Sequence, residues 1–293
     1  MALMDNRNNR SEPQSAADYD NRSTEAVKSV LIEIGQILGS FRGKFAVVGG
    51  AVPWLLLDND DMQHVGTIDI DLDLDPEALG DGEYANLVIT LMEHGYYQAR
   101  NRENFQLVRS VPATDGGPPI DVVVDFLMPR RAKIAKNRPP IIDKFAVIRA
   151  DGAELALQSY EIIQIDGPMP EGGINRVRIA VASIPALLAM KGFAIDRRLK
   201  QKDAYDIYYC VRNFPGGPEA LAKACRPMLE HEDSIIGYKY INEKFETVDS
   251  LGPTSVRNFV KDSPILEDRT PDQWQQDAFG QVDAWLRVLG LRK

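Results

Sequence analysis

Val47-Val48-Gly49-Gly50-Ala51, followed one short helix later by Thr67-Ile68-Asp69-Ile70-Asp71-Leu72, is the stretch whose reading decides the fold. An apolar strand over 45–48 runs into a paired glycine, and a second strand over 67–74 carries carboxylates at alternate positions. Residues i and i+2 of a strand point to the same face. Asp69, Asp71 and Asp73 therefore project together, while Ile68, Ile70, Leu72 and Leu74 share the other face. Neighbouring carboxylates repel unless a cation lies between them. All-oxygen ligands suit a hard cation, Mg2+ or Mn2+, bound through one or two carboxylates together with substrate phosphates. The paired glycine lets backbone come close to a phosphate. The combined pattern points to a site that holds a nucleoside triphosphate through a metal. Read alone, the acidic strand also fits a solvated sheet edge, where carboxylates discourage edge-to-edge pairing.

Working outward, residues 23–38 repeat apolar side chains at helical spacing: Val27, Val30, Leu31, Ile34 and Leu38. Residues 1–22 are polar and read as a disordered tail. Residues 51–57 form a short apolar helix with Pro53 in its first turn, and 58–66 a polar loop. Asp73 and Asp75 receive no role beyond solubility. Downstream come a helix over 83–94 and two strands over 105–111 and 120–128, joined by a turn at Asp115-Gly116-Gly117. A basic, proline-bounded loop over 129–140 precedes short strands at 145–148, 161–165 and 176–181. From Ser183 the pattern turns helical, with Ser183 as cap and Pro185 in the first turn. Further helices are expected over 202–213, 220–229 and 274–289. The fold expected is α/β (α+β): a tail over 1–22, a mixed-sheet core over 23–182 and a helical domain over 183–293.

The chain has 293 residues, 44% hydrophobic and 26% charged, as an ordinary globular protein has. No apolar run reaches the roughly 18 residues of a membrane span. Two cysteines, Cys210 and Cys225, exclude a disulfide framework and fit a reducing cytoplasm. A net charge of −9 argues against a broad electrostatic grip on nucleic acid while leaving room for a local basic patch. Two basic stretches qualify: Arg130, Arg131, Lys133, Lys136 and Arg138; and Arg197, Arg198, Lys200 and Lys202. His64, His94 and His231 show no ligand spacing and receive no role.

In-line transfer at phosphorus is helped by cations clamping the attacking and leaving oxygens, so a third carboxylate is expected on a neighbouring strand. In Ile120-Asp121-Val122-Val123-Val124-Asp125-Phe126 two acids share one face. A buried unpaired charge costs several kcal/mol, so a carboxylate in so apolar a strand calls for a partner. Asp121 and Asp125 both remain candidates.

The Gly-Gly, Asp-x-Asp and third-Asp pattern resembles the DNA polymerase β-like nucleotidyltransferase superfamily. Ile184-Pro185-Ala186-Leu187-Leu188-Ala189-Met190-Lys191, then Lys202-Asp203-Ala204-Tyr205-Asp206-Ile207-Tyr208-Tyr209, is similar to the AbiEii-type nucleotidyltransferases of abortive infection and type IV toxin–antitoxin systems. The resemblance covers residues 45–213. It implies that Gly49, Gly50 and Thr67 meet the nucleotide with Lys191, Lys202 and Asp203. It implies metal ligation by Asp69 and Asp71 with Asp121 or Asp125, and a chemical role for Asp206 in activating an acceptor hydroxyl. The long stretch between the Asp-x-Asp strand and the hairpin departs from the pattern and blurs the third carboxylate. Lys191, after a wholly apolar helix, also fits a lysine snorkelling to water, and Asp203 a helix-start acid favoured by the macrodipole. Tyr205, Tyr208 and Tyr209 read as packing residues. The resemblance implies transfer of an NMP from an NTP to RNA, at a tRNA 3′ end, by a toxin or phage-defence enzyme with a cognate antitoxin. A small-molecule nucleotidyltransferase and a non-catalytic nucleotide-binding module are the alternatives.

Overall fold

The computed structural model describes residues 13–57, 61–79, 82–99, 102–113, 115–132, 146–266 and 268–293. Its centre is a mixed sheet of β1 (Phe45–Val48), β2 (Asp69–Leu74), β3 (Gln106–Val111), β4 (Ile120–Pro129), β5 (Ile148–Ala150), β6 (Tyr160–Pro168) and β7 (Ile174–Ala182). The spatial order is β3-β4-β2-β1-β7-β6, and β5 pairs with the end of β4. All four residues of β1 are buried, the continuous apolar pattern of a strand covered on both faces. β2 alternates instead, because one of its faces turns toward a cavity.

Helices α1 (Asn21–Ile37) and α3 (Glu83–Glu93) cover one side of the sheet, where Ile70, Leu72, Val124 and Phe126 are fully buried. Helices α2 (Ala51–Leu56), α4 (Ala153–Gln158) and α5 (Ile184–Arg197) cover the other. The chain then continues as α6 (Gln201–Asn213), α7 (Gly217–Cys225), α8 (Glu232–Lys244), α9 (Leu251–Val260) and α10 (Pro271–Leu289). Among the described residues no helix is long and apolar enough to cross a membrane.

Several expectations need correction. The acidic strand begins at Asp69, not at position 67, because the Thr67 hydroxyl turns back onto Asp69. The segment expected as a strand at 145–148 pairs over Ile148–Ala150, and position 145 lies outside the described residues. Residues 1–12 of the expected tail also lie outside them, but residues 13–22 are ordered. A 3-10 turn at Ala16–Asp18 is fastened by a capping box between Ser15 and Asp18, and Ala16 is buried. Tyr19 then packs edge-on against Phe259 of α9, and Asp20 accepts the Ser23 amide as the N-cap of α1. Asp73, assigned to solubility, is wholly buried, and neither of its oxygens has a hydrogen-bond partner among the described residues. Burial and the neighbouring Glu154 push its pKa well up, so it is held neutral. The cause is α4, a helix the periodicity did not reveal, which packs against this part of the sheet.

Helix α5 carries the lysine of the resemblance and is anchored at its first turn and again at its crossing with α8. The Ser183 hydroxyl accepts the Ala186 amide as predicted, and Pro185 occupies the first turn. Further along, Gly192 lies against α8 so closely that a Cβ there would stand 1.9 Å from the Gly237 carbonyl oxygen. A Cβ on Gly237 would stand 2.2 Å from the Ala189 carbonyl oxygen. Two glycines thus let backbone meet backbone, and this crossing sets how far Lys191 reaches. Gly192→Ala is expected to lower stability by about 1–3 kcal/mol through overpacking, measured by urea denaturation. Unchanged stability would mean that the crossing is looser than described.

Candidate active site

The first half of the site is built by strand register. β2 runs antiparallel to β1 and parallel to β4, with Val48 opposite Asp71 and Asp71 opposite Asp125. Residues opposite one another share a face, so Asp69, Asp71 and Asp125 converge. Asp69 accepts a hydrogen bond from the buried Thr67 hydroxyl at 2.9 Å. Asp71 lies against the Gly49 turn: a Cβ at position 49 would stand 1.8 Å from its Oδ2, and Gly49 has φ +72°. Glycine is required there by both space and backbone conformation. Asp121 lies four residues back along β4, on the same face but exposed at the mouth.

The electrostatics follow from that crowding. Burial, then the charges of Asp69 and Asp125, push the Asp71 carboxyl up to about 8. Burial and Asp69 push Asp125 up to about 7. Its Oδ1 is buried without a hydrogen-bond partner among the described residues. Three carboxylates here cannot all be ionised without a cation.

The second half comes from α5 and α6. Lys191 donates to Asp203 Oδ1 and Asp206 Oδ2, both at 2.7 Å. Lys202 donates to Asp206 at 2.9 and 3.2 Å. Arg198 grips Asp203 through Nε at 2.8 Å and Nη2 at 3.1 Å. Asp203 and Asp206, at i and i+3, share a helix face and are both fully buried. Burial alone lowers a lysine pKa, but Asp203 and Asp206 outweigh it at Lys191, whose pKa is raised. At Lys202 burial prevails over Asp206 and the pKa is lowered. Burial opposes the charge of Asp206, yet Lys191 and Lys202 drive its pKa well below the usual range. Asp206 is thereby the shared acceptor of both lysines, its carboxylate kept ionised by them. Lys202 is the lysine beside the glycine turn, its Nζ 3.0 Å from where a Gly50 Cβ would stand.

Both halves face one cavity of about 640 Å3, within the range of small-molecule sites. Among its lining residues are Gly49, Gly50, Thr67, Asp69, Asp71, Asp121, Asp125, Lys191, Lys202, Asp203 and Asp206. The structure thus gathers around one cavity the residues expected to meet metal or nucleotide, with Asp121 at the edge. Residues 61–284 match the family model described as "Nucleotidyl transferase AbiEii toxin, Type IV TA system".

The chain belongs to this AbiEii family of nucleotidyltransferase toxins.

It is a nucleotidyltransferase, and membership of a type IV toxin–antitoxin family implies an antitoxin as partner. The Gly49–Gly50 turn precedes the matched span. A crystal structure described as a "putative nucleotidyltransferase from H. pylori" is similar over 92% of this chain and 98% of that one, at 11% identity and a TM-score of 0.46. No curated protein matches the chain.

Two contributors, Tyr19 and His64, escaped the sequence, and a third, Arg198, was read there only as part of a basic stretch. Tyr19 lines the cavity, with the Lys202 ammonium 5.4 Å from its ring centre. Arg198 completes the grip on Asp203. His64, given no role from sequence, is buried beside Asp206, its Nε2 3.0 Å from Oδ1. Of the basic stretches, Arg197, Arg198 and Lys200 line the mouth together with Arg102. Arg130 and Arg197 meet on Asp151. Lys133, Lys136 and Arg138 lie outside the described residues.

The raised Asp71 pKa fixes a pH dependence. In the unfolded chain this carboxyl titrates near 4, so from there up to about 8 the folded state holds a proton that the unfolded state has lost. Its contribution is present at low pH and disappears as pH rises through the folded value. Without divalent metal, Asp71→Asn is expected to raise the melting temperature at pH 8 by about 2–4 °C, roughly 1 kcal/mol for a chain of this size. At pH 5 the difference should vanish. A variant less stable than wild type at pH 8 would contradict the crowding of carboxylates.

Proposed function

We propose that the enzyme transfers a nucleoside monophosphate from an NTP to a hydroxyl of RNA, at a tRNA 3′ end. The observation that carries this reading is three convergent carboxylates facing two lysines across one cavity. A triphosphate is a polyanion that the lysines attract, and the carboxylates repel it unless a divalent cation intervenes.

The donor set fits such an ion. Asp69 and Asp71, with Asp125, offer only oxygen, and the unpartnered Asp125 Oδ1 is an oxygen in want of a ligand or proton. No group of three described His, Cys, Asp or Glu side chains is spaced to hold a metal by itself. That agrees with Mg2+, which binds through one or two carboxylates and completes its shell with phosphates and water. When bound, the ion neutralises charge developing on the phosphates.

The chain's own residues do the rest. The Gly49–Gly50 turn presents backbone without side chains to the triphosphate, and Lys202, beside it, holds the phosphates as a point charge. Lys191 sustains the positive potential on the same wall. Asp125, opposite Asp71 on the same face, takes the proton of the acceptor hydroxyl on its carboxylate. The acceptor oxygen bonds to the α-phosphorus as the bond to the β-phosphate oxygen breaks, and pyrophosphate leaves. Arg102, Arg197, Arg198 and Lys200 at the mouth suit a phosphodiester backbone, which supports RNA over a neutral small acceptor.

Incubating the protein with each α-labelled NTP, Mg2+ and total tRNA should place label on RNA. Asp69→Asn or Asp71→Asn should reduce the rate by about 100- to 1000-fold, the scale seen when a transition-state charge partner is removed. Replacing Arg197 and Lys200 by Gln should raise KM for RNA and flatten its salt dependence. Absence of label on RNA with all four NTPs would refute the acceptor; wild-type activity in either aspartate variant would refute the site.

A further inference from the structure

The two lysines share one acceptor, Asp206, and sit on the wall that meets the triphosphate. Ammonium groups converging on one carboxylate repel each other, so the position of that carboxylate fixes both. The third donor on it is His64. The Gly66 amide donates to His64 Nδ1 at 3.1 Å, which makes Nδ1 an acceptor and leaves the ring proton on Nε2. Nε2–H then donates to Asp206 Oδ1 at 3.0 Å. The ring packs against Tyr205, tilted and 5.6 Å away centre to centre, and against Tyr209, edge-on and 4.8 Å away. Tyr209 is itself tied to the Leu57 carbonyl. Every freedom of the imidazole is thereby removed: two rings fix its plane, and two hydrogen bonds fix its rotation and tautomer.

We propose that His64 is a positioning residue for nucleotide binding, a neutral clamp that orients Asp206 so that Asp206 holds Lys191 and Lys202 toward the triphosphate. The inference rests on the reading of those lysines as phosphate contacts. A neutral donor suits the task better than a cation. A third positive charge on Asp206 would compete with the lysines for the same oxygens, whereas a neutral N–H fixes one oxygen and leaves the charge of the carboxylate to them. Burial together with the Lys202 charge keeps the imidazole neutral. The clamp also ties Asp206, on α6, to the loop that leads into β2 and its Asp69–Asp71 pair. This loop-to-helix bond joins the two halves of the site.

Two substitutions separate a clamp from a packing residue. In His64→Gln the side-chain amide reaches the place of Nε2 and still donates to Asp206. In His64→Asn it reaches only the place of Nδ1, keeping an acceptor for the Gly66 amide and losing Asp206. Binding of the four ribonucleoside triphosphates with Mg2+ is measured by calorimetry, and kcat and KM for the NTP in the transfer assay. His64→Asn should weaken NTP binding and raise KM by about tenfold or more, as loss of an outer-shell partner does, with His64→Gln within about threefold of wild type on that scale. Melting temperatures of both variants are recorded alongside. Equal losses in the two variants, or losses that follow melting temperature, would overturn the clamp. Should either variant fail to fold, long-range 1H–15N correlation on wild-type protein decides. With three histidines in the chain, one should keep a bare Nδ1 and a protonated Nε2 from pH 7 down to pH 5. The opposite tautomer, or an imidazolium at pH 6, overturns the proposal. Failure of wild type and Lys202→Met to differ in NTP affinity would instead strike the reading of the lysines and leave the His64 tautomer untouched.

Discussion

Like charges held together in a confined cavity are the constraint on which the site depends. Asp71 faces Asp125 across two parallel strands, Asp69 stands beside them, and no lysine or arginine forms a close ion pair with any of the three among the described contacts. Across the cavity Lys191, Lys202 and Arg198 converge on Asp203 and Asp206 in one buried network. One wall is a crowd of acids and the other carries the cations. On the proposed reading a magnesium nucleotide would answer both, its cation meeting the acids and its phosphates the lysines. The cavity exists because a close-packed interior would otherwise have to bury these charges unpaired.

Holding the walls at a fixed separation is the work of the rest of the fold. The sheet fixes the acids through register, which a slip of one residue would undo by turning them to the opposite face. The lysine wall is fixed by the Gly192–Gly237 crossing, by Arg198 on Asp203, and by His64 on Asp206. The N-terminal turn adds a further tie. Tyr19 bridges Lys202 and Phe259, so a segment before the matched family span closes one side of the cavity. Local rigidity of this kind is what a site for in-line transfer requires, because misplacement by about 1 Å costs on the order of 100-fold in rate.

Much of this was legible in the sequence where the signal is local. The alternation in Asp69-Ile70-Asp71-Leu72, the paired glycine and the Ser183 cap each report their own geometry within a few residues. Lys202, Asp203 and Asp206 report a shared helix face. Long-range register is not local. Nothing within Ile120 to Phe126 distinguishes Asp121 from Asp125, because the distinction is which of them meets Asp71 on another strand. His64 was invisible because a clamp needs no metal-ligand spacing, only a carboxylate 142 residues away in sequence. Asp73 misled because alternation shows that a face is shared and not what covers it; α4, six residues long, left too little periodicity to announce itself. The N-terminal turn was read as disordered from its polarity, yet the Ser15–Asp18 capping box and the apolar contacts of Ala16 and Tyr19 hold it, local features that composition averages away.

The most direct test of the central claim is diffraction from crystals grown with Mn2+ and a non-hydrolysable NTP, using the anomalous signal of manganese to locate the ion. The account predicts a manganese peak about 2.0–2.2 Å from oxygens of Asp69 and Asp71, with the triphosphate along the Gly49–Gly50 turn and within reach of Lys202. A triphosphate bound elsewhere in the cavity, or a peak with no ligand from Asp69, Asp71 or Asp125, would contradict it.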